Sequence, residues 1–183
     1  MEADRTQGGR AWSIRRLDKL VSADIDALSG VLIDCVDGDG SLGFLRPLER
    51  GRARAFWEGV ALAVQGGERA ILVAEDERGL CGSVQLVLGL PENQPHRADV
   101  TKLMVHRRAR RLGLGAALVR AAESTALGCG RDLLVLDAVT GGDAARLYAR
   151  LGWVRVGDIP GFALTPRGVR CGTTVFYRDL SGR

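Results

Sequence analysis

The sequence predicts an α/β domain in which a mixed sheet of six to seven strands carries helices on both faces. Its 183 residues suit one domain, with residues 1–11 as a loose N-terminal segment and residues 12–183 as the folded unit. Apolar runs of strand length and amphipathic stretches of helical length follow one another in the order β-α-α-β-β-β-α-β-α-β-β. Strands interrupted by helices in this way favour a sheet that is covered on both sides.

The first half of the chain is predicted to hold two helices and four strands. Ser22 is placed as the N-cap of the first helix, because apolar residues then recur at helical spacing as far as Cys35. The apolar run at residues 70–74 is typical of a buried central strand. The predicted strands span 13–17, 69–75, 81–88 and 97–105, and the predicted helices span 22–35 and about 49–64.

The second half of the chain is predicted to alternate helices and strands. The helix that starts at Leu114 has an inner stripe of apolar residues, and Gly128 and Gly130 stop it. Asp143 is placed as the N-cap of a short last helix that Gly152 ends. The predicted helices span 114–126 and 143–151, and the predicted strands span 133–136, 153–156 and 173–178.

The composition is that of a globular protein and excludes several classes of function. The net charge of +4 is too small to demand a nucleic-acid partner, and no aromatic residues are interleaved with the arginines of 107–111. No run of 18 apolar residues predicts a membrane span, and the start of the chain lacks the pattern of a secretory signal. We therefore expect a cytoplasmic protein with neither a nucleic-acid nor a membrane partner.

The cysteines and histidines are too dispersed to predict a metal site. The four cysteines form no C-x-x-C pair, and the chain has only two histidines. Reduced and mostly buried thiols are the simplest interpretation for a cytoplasmic protein. We expect no metal.

The most informative stretch of the sequence is a basic, glycine-rich loop between a strand and a helix. It contains Arg110 and Arg111, followed by Gly113 and Gly115. Backbone N–H groups converge on a phosphate only where side chains leave room, which the two glycines provide. The helix that starts near Leu114 adds unpaired N–H groups and the positive end of its dipole. The loop is therefore predicted to bind a phosphate-bearing ligand, with the two arginines contacting phosphate oxygens.

Three alternative roles for this loop fit the sequence less well. A solvated surface cluster of arginines does not require the combination of strand, glycines and small-residue helix. The nucleoside-triphosphate motif G-x-x-x-x-G-K-[ST] is absent from the sequence. The G-x-G spacing also lacks the third glycine of a dinucleotide-binding fingerprint.

Two motifs resemble those of the GCN5-related N-acetyltransferase (GNAT) superfamily. The first is an apolar strand followed by [Q/R]-x-x-G-x-[G/A], which stands here at residues 103–105 and 110–115. The second is L-Y-x-x-x-G-[F/W], which stands here at residues 147–153. The resemblance covers about residues 12–180 and is closest to the small-molecule branch that includes the tabtoxin-resistance type. One departure is Gly141, where many members carry an asparagine that helps to bind CoA or to order the site.

The resemblance implies the GNAT fold, with a mostly antiparallel sheet, and acetyl-CoA as the cofactor. The backbone of Leu103 and Val105 would pair with the pantetheine amides, while their side chains pack in the core. A backbone N–H near Val105 would donate to the thioester oxygen. The residues implied to bind the cofactor are Leu103, Met104, Val105, Arg110, Arg111, Leu112, Gly113, Leu114, Gly115 and Ala116.

The resemblance also implies direct transfer of an acetyl group to an amine. Tyr148 of the second motif would protonate the leaving thiolate, and a tyrosine that only packs its ring is the alternative. Asp137 ends a buried strand and is the first candidate for the base, with hydrogen bonds to its own turn as the alternative role. Glu75, which ends another strand, is the second candidate for the base.

The acceptor is predicted to be a small molecule with an amine, such as a metabolite, an amino-acid-like compound or an antibiotic. The candidate acceptor contacts are Asp34, Phe44, Glu75 and His96. Acetylation of a protein N-terminus or lysine is one alternative, and a non-catalytic sensor that binds or sequesters acyl-CoA is another. Because members of the family often form dimers, a homodimer is also expected.

Overall fold

Within residues 12–182, seven strands of one mixed sheet and four helices follow one another in the predicted order. The computed structural model describes residues 12–182, so the predicted loose segment at residues 1–11 lies outside the described residues. A 3-10 turn at Arg107–Ala109 follows the fourth strand. The elements are β1 (Trp12–Leu17), α1 (Ser22–Asp37), α2 (Arg50–Gln65), β2 (Arg69–Asp76), β3 (Gly79–Val87), β4 (Arg97–Val105), α3 (Leu114–Gly128), β5 (Leu133–Val139), α4 (Asp143–Arg150), β6 (Val154–Leu164) and β7 (Arg170–Asp179).

The sheet has the strand order β1-β2-β3-β4-β5-β7-β6. The pair formed by β4 and β5 is parallel, and every other neighbouring pair in the described sheet is antiparallel. The predicted mostly antiparallel mixed sheet is thereby confirmed. Since β7 lies between β5 and β6, it is an inner strand, and β6 forms the edge of the sheet.

Two apolar layers cover the two faces of the sheet. Side chains alternate along β2, so Ile71 and Val73 pack around Trp57 with α1 and α2. Ala70 and Leu72 point the opposite way and pack around Leu118 of α3. We refer to these two sides as the α1/α2 face and the α3/α4 face. No helix within residues 12–182 combines the length and apolar character needed to cross a membrane.

Two predicted helix caps are displaced by one residue. The N-cap of α1 is Val21, not Ser22, and its backbone N–H donates to the carboxylate of Asp24 at 3.0 Å. The N-cap of α4 is Gly142, while Asp143 is the first residue of the helix. In both helices a carboxylate in the first turn stabilises the positive end of the helix dipole.

The strand β6 is longer than the sequence pattern predicts. Its predicted range of 153–156 stops well before Leu164, because Pro160 and Gly161 interrupt the apolar pattern. Both are tolerated because β6 is an edge strand, and its pairing with β7 shifts register between Ile159 and Ala163.

Candidate active site

The strands β4 and β5 run side by side for a short distance and then diverge. Their pairing covers Arg97–Asp99 of β4 and Leu133–Val135 of β5. Beyond these residues β4 continues to Val105 and β5 continues to Val139 without pairing to each other. The diverging lengths border an opening in the middle of the sheet, which we call the β4–β5 opening.

Beyond Asp99, β4 has no paired strand on the side that faces β5, and its backbone N–H and C=O groups there face this opening. On the other side, His106 donates its N–H to the carbonyl of Cys81 in β3 at 2.8 Å. Because successive strand residues address opposite neighbours, Leu103 and Val105 direct their backbone groups away from β3. The Val105 carbonyl accepts a hydrogen bond from Arg110 Nε at 3.0 Å. Leu103 and Val105 are the two residues whose backbone was expected to pair with an extended ligand.

The loop between β4 and α3 places bare backbone N–H groups at the end of the β4–β5 opening. Gly113 is the N-cap of α3 with φ of 79°, and no side chain caps this helix end. Arg111 also has a positive φ, of 64°. The helix ladder begins with Ala117, which donates to the Gly113 carbonyl at 3.1 Å, so the N–H groups before it precede the first helical bond. A concave backbone of this kind fits the oxygens of a diphosphate.

Gly115 lies where α4 comes close to the start of α3. A Cβ atom at this position would lie 3.3 Å from Leu147 Cδ2 and 3.9 Å from Val105 Cγ2. A Cβ here would require the Leu147 side chain to shift by a few tenths of an ångström, and a longer side chain would crowd Leu147 and Val105. Gly115 belongs to the first motif and Leu147 to the second. Their contact gives a physical reason for the two motifs to occur together.

Three arginines of the loop form hydrogen bonds or ion pairs with other parts of the described protein, and the fourth does not. Arg108 pairs with Asp76 at 2.9 Å, and Arg107 also bonds to a carboxylate. Arg110 reaches back to the end of β4. Arg111 is exposed, and within residues 12–182 it makes no hydrogen bond or ion pair. Arg111 is therefore the guanidinium most available to a phosphate.

Asp34, in the last turn of α1, holds the loop in place. Its carboxylate accepts hydrogen bonds from the backbone N–H and from Nε of Arg107, each at 2.8 Å. Burial is the largest single influence and acts to raise the pKa of Asp34, but the hydrogen bonds from Arg107 and the charges of His106 and Arg107 together lower it. The structure thus gives Asp34 a loop-anchoring position in place of the acceptor contact expected from the sequence.

Replacing Asp34 with alanine is expected to weaken acetyl-CoA binding by about tenfold, which corresponds to about 1.4 kcal/mol. The loop would lose two hydrogen bonds to a charged group, so its bare N–H groups would no longer be held in position. Isothermal titration calorimetry with CoA measures the change. The matched control is Asp37→Ala, which removes an exposed carboxylate from the same helix. An unchanged dissociation constant for Asp34→Ala would contradict the anchoring role.

Tyr148 lies on the inner side of α4 and is 4% exposed. Its ring packs against Trp153 at 5.4 Å and Phe176 at 6.1 Å between ring centroids. Burial and the negative charge of Asp137 raise the pKa of Tyr148 well above its usual range. The phenol therefore stays protonated at physiological pH.

Asp137 lies on β5 beside the β4–β5 opening and is exposed. Its neighbours Leu136 and Ala138 pack on the α3/α4 face, so strand alternation places the Asp137 carboxylate on the α1/α2 face. Thr173 of β7 donates its hydroxyl proton to Asp137 Oδ2 at 2.7 Å. One carboxylate oxygen is thereby fixed, while the side chain stays accessible.

The structure does not bring Glu75 or His96 to the opening. Glu75 accepts hydrogen bonds from Arg15 at 2.8 and 3.2 Å, which lower its pKa. It lies on β2, two strands away from β4. His96 precedes β4 at the end where β4 and β5 are still paired, and its carbonyl accepts from Asp132 at 2.9 Å. These two expected acceptor contacts are corrected on these geometric grounds, and Glu75 is set aside as a base.

Phe44 packs against the core of the α1/α2 face, and its expected contact with the acceptor stays a prediction. Its ring packs edge to face against Phe56 of α2, with 5.5 Å between the centroids. Sequence reasoning missed Lys102, whose ammonium lies 5.6 Å from the centroid of the Phe56 ring. The signal in the sequence is that Lys102 and Lys19 are the only lysines among 26 basic residues.

Two loops meet across the α1/α2 side of the opening. Asp39, after α1, accepts hydrogen bonds from Arg167 of the β6–β7 turn at 2.7 to 3.1 Å. The backbone N–H of Arg46 donates to the Pro166 carbonyl at 2.9 Å. Since these loops start from opposite sides of the β4–β5 opening, their contact narrows the entrance on this face.

The geometry first defines a class: α/β proteins that hold an extended, phosphate-bearing ligand across an opening in the sheet. Comparison with known proteins agrees with this class. A family model described as an acetyltransferase (GNAT) domain matches residues 67–155. A protein of Azospirillum brasilense, described as an uncharacterized N-acetyltransferase in the hisH-hisA intergenic region, is 32% identical over 127 residues, which are 68% of this chain and 74% of that protein.

Solved structures share the fold at low sequence identity. The Salmonella typhimurium structure called yncA, assigned as an acetyltransferase and solved with its cofactor acetyl-CoA, matches with a TM-score of 0.73 and 19% identity. The match covers 94% of this chain and 95% of that one. A ribosomal-protein-S5-alanine acetyltransferase from Vibrio fischeri matches with a TM-score of 0.76 and 11% identity, over 98% of this chain and 97% of that one.

The chain belongs to the GCN5-related N-acetyltransferase superfamily, whose members are acyl-CoA-dependent acetyltransferases. The resemblance predicted from the two motifs is confirmed, and so is the predicted fold. The identity to the two solved structures is too low to carry over what they bind or acetylate.

Proposed function

We propose that the protein transfers the acetyl group of acetyl-CoA directly to an amine of a small molecule within a ternary complex. The observation that carries this proposal is the β4–β5 opening. Bare backbone N–H groups follow the end of β4, Tyr148 packs in the core of the α3/α4 face, and Asp137 lies on the α1/α2 face, and these positions support the proposal. One face would then admit the acetyl donor and the other the acceptor.

The residues around the opening fit acetyl-CoA. The loop from Arg110 to Ala116 would hold the diphosphate, with Arg111 as the free cation and backbone N–H groups as donors. The backbone of Leu103 and Val105 would pair with the pantetheine amides, and Gly115 keeps their path clear. Acetyl-CoA supplies an activated acetyl group, as a thioester whose C–S bond breaks while the C–N bond of the amide forms.

Asp137 would act as the base. It is exposed on the α1/α2 face, where the acceptor would enter, and Thr173 orients its carboxylate. Asp137 would accept one proton from the acceptor ammonium, directly or through a water, so that the neutral amine can attack. That proton later leaves to solvent. Within residues 12–182 the hydrogen bond found for the Asp137 side chain comes from Thr173 of β7 and not from its own turn, which supports this role.

Tyr148 would act as the acid. Its raised pKa keeps the phenol protonated, so it gives up its proton only as negative charge develops on the departing sulfur. The second proton of the attacking nitrogen would then restore the phenol. The packing role considered for Tyr148 and this catalytic role are compatible, because the ring packs while the hydroxyl reacts.

A small acceptor is favoured over a protein by the contact between the two loops on the α1/α2 face. Asp39 and Arg167 join across the side from which an acceptor would approach Asp137. A folded protein would have to present a lysine or N-terminus through this narrowed entrance. A single small molecule meets no such obstacle.

The experiment that tests the proposal measures thiol release from acetyl-CoA across amino acids, aminoglycosides, polyamines and peptides. We expect heat on titration of CoA into the protein, and thiol release with at least one small amine. No heat with CoA would overturn the proposal altogether. Binding without release for any amine would favour the sensor, and release only with peptides would favour protein acetylation.

The homodimer stays a prediction. The described edge strand β6 exposes Val156, Ile159 and Phe162 to solvent. Apolar side chains on an unpaired edge are commonly covered by another chain. Sedimentation velocity on the pure protein measures whether a second copy covers them.

A further inference from the structure

Lys102 occupies an unusual position in β4. The pairing of β3 with β4 shifts register between Ser83 and Gln85, and Lys102 lies in the resulting bulge with φ of 52°. Bulges re-aim side chains. Here the ammonium lies over Phe56 on the α1/α2 face, and a Cβ at Gly43 would be 3.9 Å from Nζ. The ammonium thus faces the same side of the opening as Asp137.

The ammonium of Lys102 has no fixed anionic partner within the described chain. No carboxylate among residues 12–182 forms an ion pair with it within 4.0 Å. Partial burial and the positive charge of Arg69 lower its pKa, while the negative charge of Asp137 opposes this effect more weakly. A half-buried cation without an anionic partner is energetically unfavourable unless a bound ligand neutralises its charge.

Three buried polar side chains without a complete set of hydrogen-bond partners lie on the paired stretch of β3 and β4 that contains Lys102. Gln85 is fully buried, and its Oε1 accepts from Arg69 Nη1 at 2.8 Å, which leaves Nε2 without a partner. The hydroxyls of Ser83 and Thr101 are also buried without a partner in the described structure. Gln85 pairs with Thr101 across the strands, next to Lys102. These unpartnered polar groups, together with the charge of Lys102, favour a ligand that brings hydrogen-bond acceptors and negative charge to this face.

We propose that Lys102 binds a carboxylate on the acceptor, so that the acceptor is an amino acid or an amino-acid-like compound. This inference rests on the proposed function. The acceptor amine would face Asp137 and its carboxylate would face Lys102, which matches the opposite charges of a zwitterion. The aromatic rings of Phe44 and Phe56 would line the space for its side chain. Lys102 is thus a specificity-determining residue. Its ammonium suits a carboxylate because it is compact and carries three hydrogen-bond donors.

Acceptor triads test this assignment. For each of L-alanine, L-leucine and L-phenylalanine, the acid is compared with its carboxamide and with its decarboxylated amine. Thiol release from acetyl-CoA should give the acid a kcat/KM at least tenfold above the other two. Equal kcat/KM values across a triad that is acetylated would overturn the inference while leaving the proposed function standing.

The variant Lys102→Met removes the charge and keeps the side-chain length. We expect KM for the amino acid to rise roughly 10- to 100-fold, because one hydrogen bond between charged groups is lost. KM for acetyl-CoA should be unchanged. The preference for the acid over its amide should disappear. Lys102→Arg should restore part of it, because the positive charge returns. Lys19→Met, the exposed lysine, is the matched control.

A lowered kcat at unchanged KM in Lys102→Met would assign Lys102 to proton transfer instead and overturn the inference. A readout without turnover avoids dependence on activity and on variant folding. Reductive ¹³C-methylation labels the two lysines and the N-terminal amine, and the spectra of Lys102→Met and Lys19→Met assign the lysine signals. In the presence of CoA, adding L-leucine should shift the signal of Lys102 and not that of Lys19, and leucinamide should shift neither. Equal shifts with both compounds contradict carboxylate binding.

Discussion

Replacing Asp137 with asparagine is expected to lower kcat by about 10²- to 10⁴-fold, the range for loss of a general base. The amide cannot accept the proton of the ammonium, yet it keeps an oxygen for the Thr173 hydroxyl, which lies 2.7 Å away. The geometry of β5 and β7 is therefore expected to persist. Stopped-flow or steady-state thiol release at saturating acetyl-CoA and acceptor measures the loss.

Asp158→Asn is the matched control for this variant. Asp158 is also a carboxylate that accepts a threonine hydroxyl, from Thr174 at 2.6 Å, but it lies on the edge strand β6. The Asp158→Asn variant should have a kcat close to that of the wild type. Raising the pH supplies more neutral amine, so Asp137→Asn should recover part of its rate in alkaline buffer. A kcat within twofold of the wild type at neutral pH would remove Asp137 as the base.

The second large effect is expected for Tyr148→Phe, with kcat lower by about 10²-fold. The change removes the proton donor for the departing sulfur and leaves the ring in contact with Trp153 and Phe176. Binding of CoA measured by calorimetry should be nearly unchanged. Because the pKa of Tyr148 is raised, the wild type should show no loss of rate from ionisation of this phenol below about pH 10.

Tyr177→Phe controls for loss of a phenol as such, since Tyr177 is the other tyrosine of the chain and lies on β7. It should keep its rate. Thermal melting of both variants separates folding from catalysis. If Tyr148→Phe melts like the wild type and retains its full kcat, the acid role is wrong, and the buried ring then serves packing alone.

Most of the fold was predictable because local periodicity and the core pattern agree. The run at 70–74 became the buried strand β2, and the helix starting at Leu114 buries its predicted stripe against the sheet. The ends of elements were harder. The length of β6 through Pro160 and Gly161 depends on its place at the sheet edge, and a local pattern does not contain that information.

The site was predictable where backbone chemistry dictates the residue type. Gly113 has a positive φ, and Gly115 lies where a side chain would meet Leu147, so glycine at both positions is readable as a motif. The roles of charged side chains were not readable in this way. Asp34 and Glu75 looked available in the sequence, yet arginines distant in the chain occupy both.

By itself, the sequence determined the order of elements, the glycine-rich loop before α3 and the family, because spacing and residue type along the chain carry that information. Only the tertiary structure decided which ionisable groups are free to react. It paired Asp34 with Arg107 across 73 positions and left Asp137 and Lys102 without ion-pair partners in the described chain, on one face of the opening. The physical reason is that a charge is neutralised by whichever partner the fold brings within a few ångströms, regardless of distance along the chain.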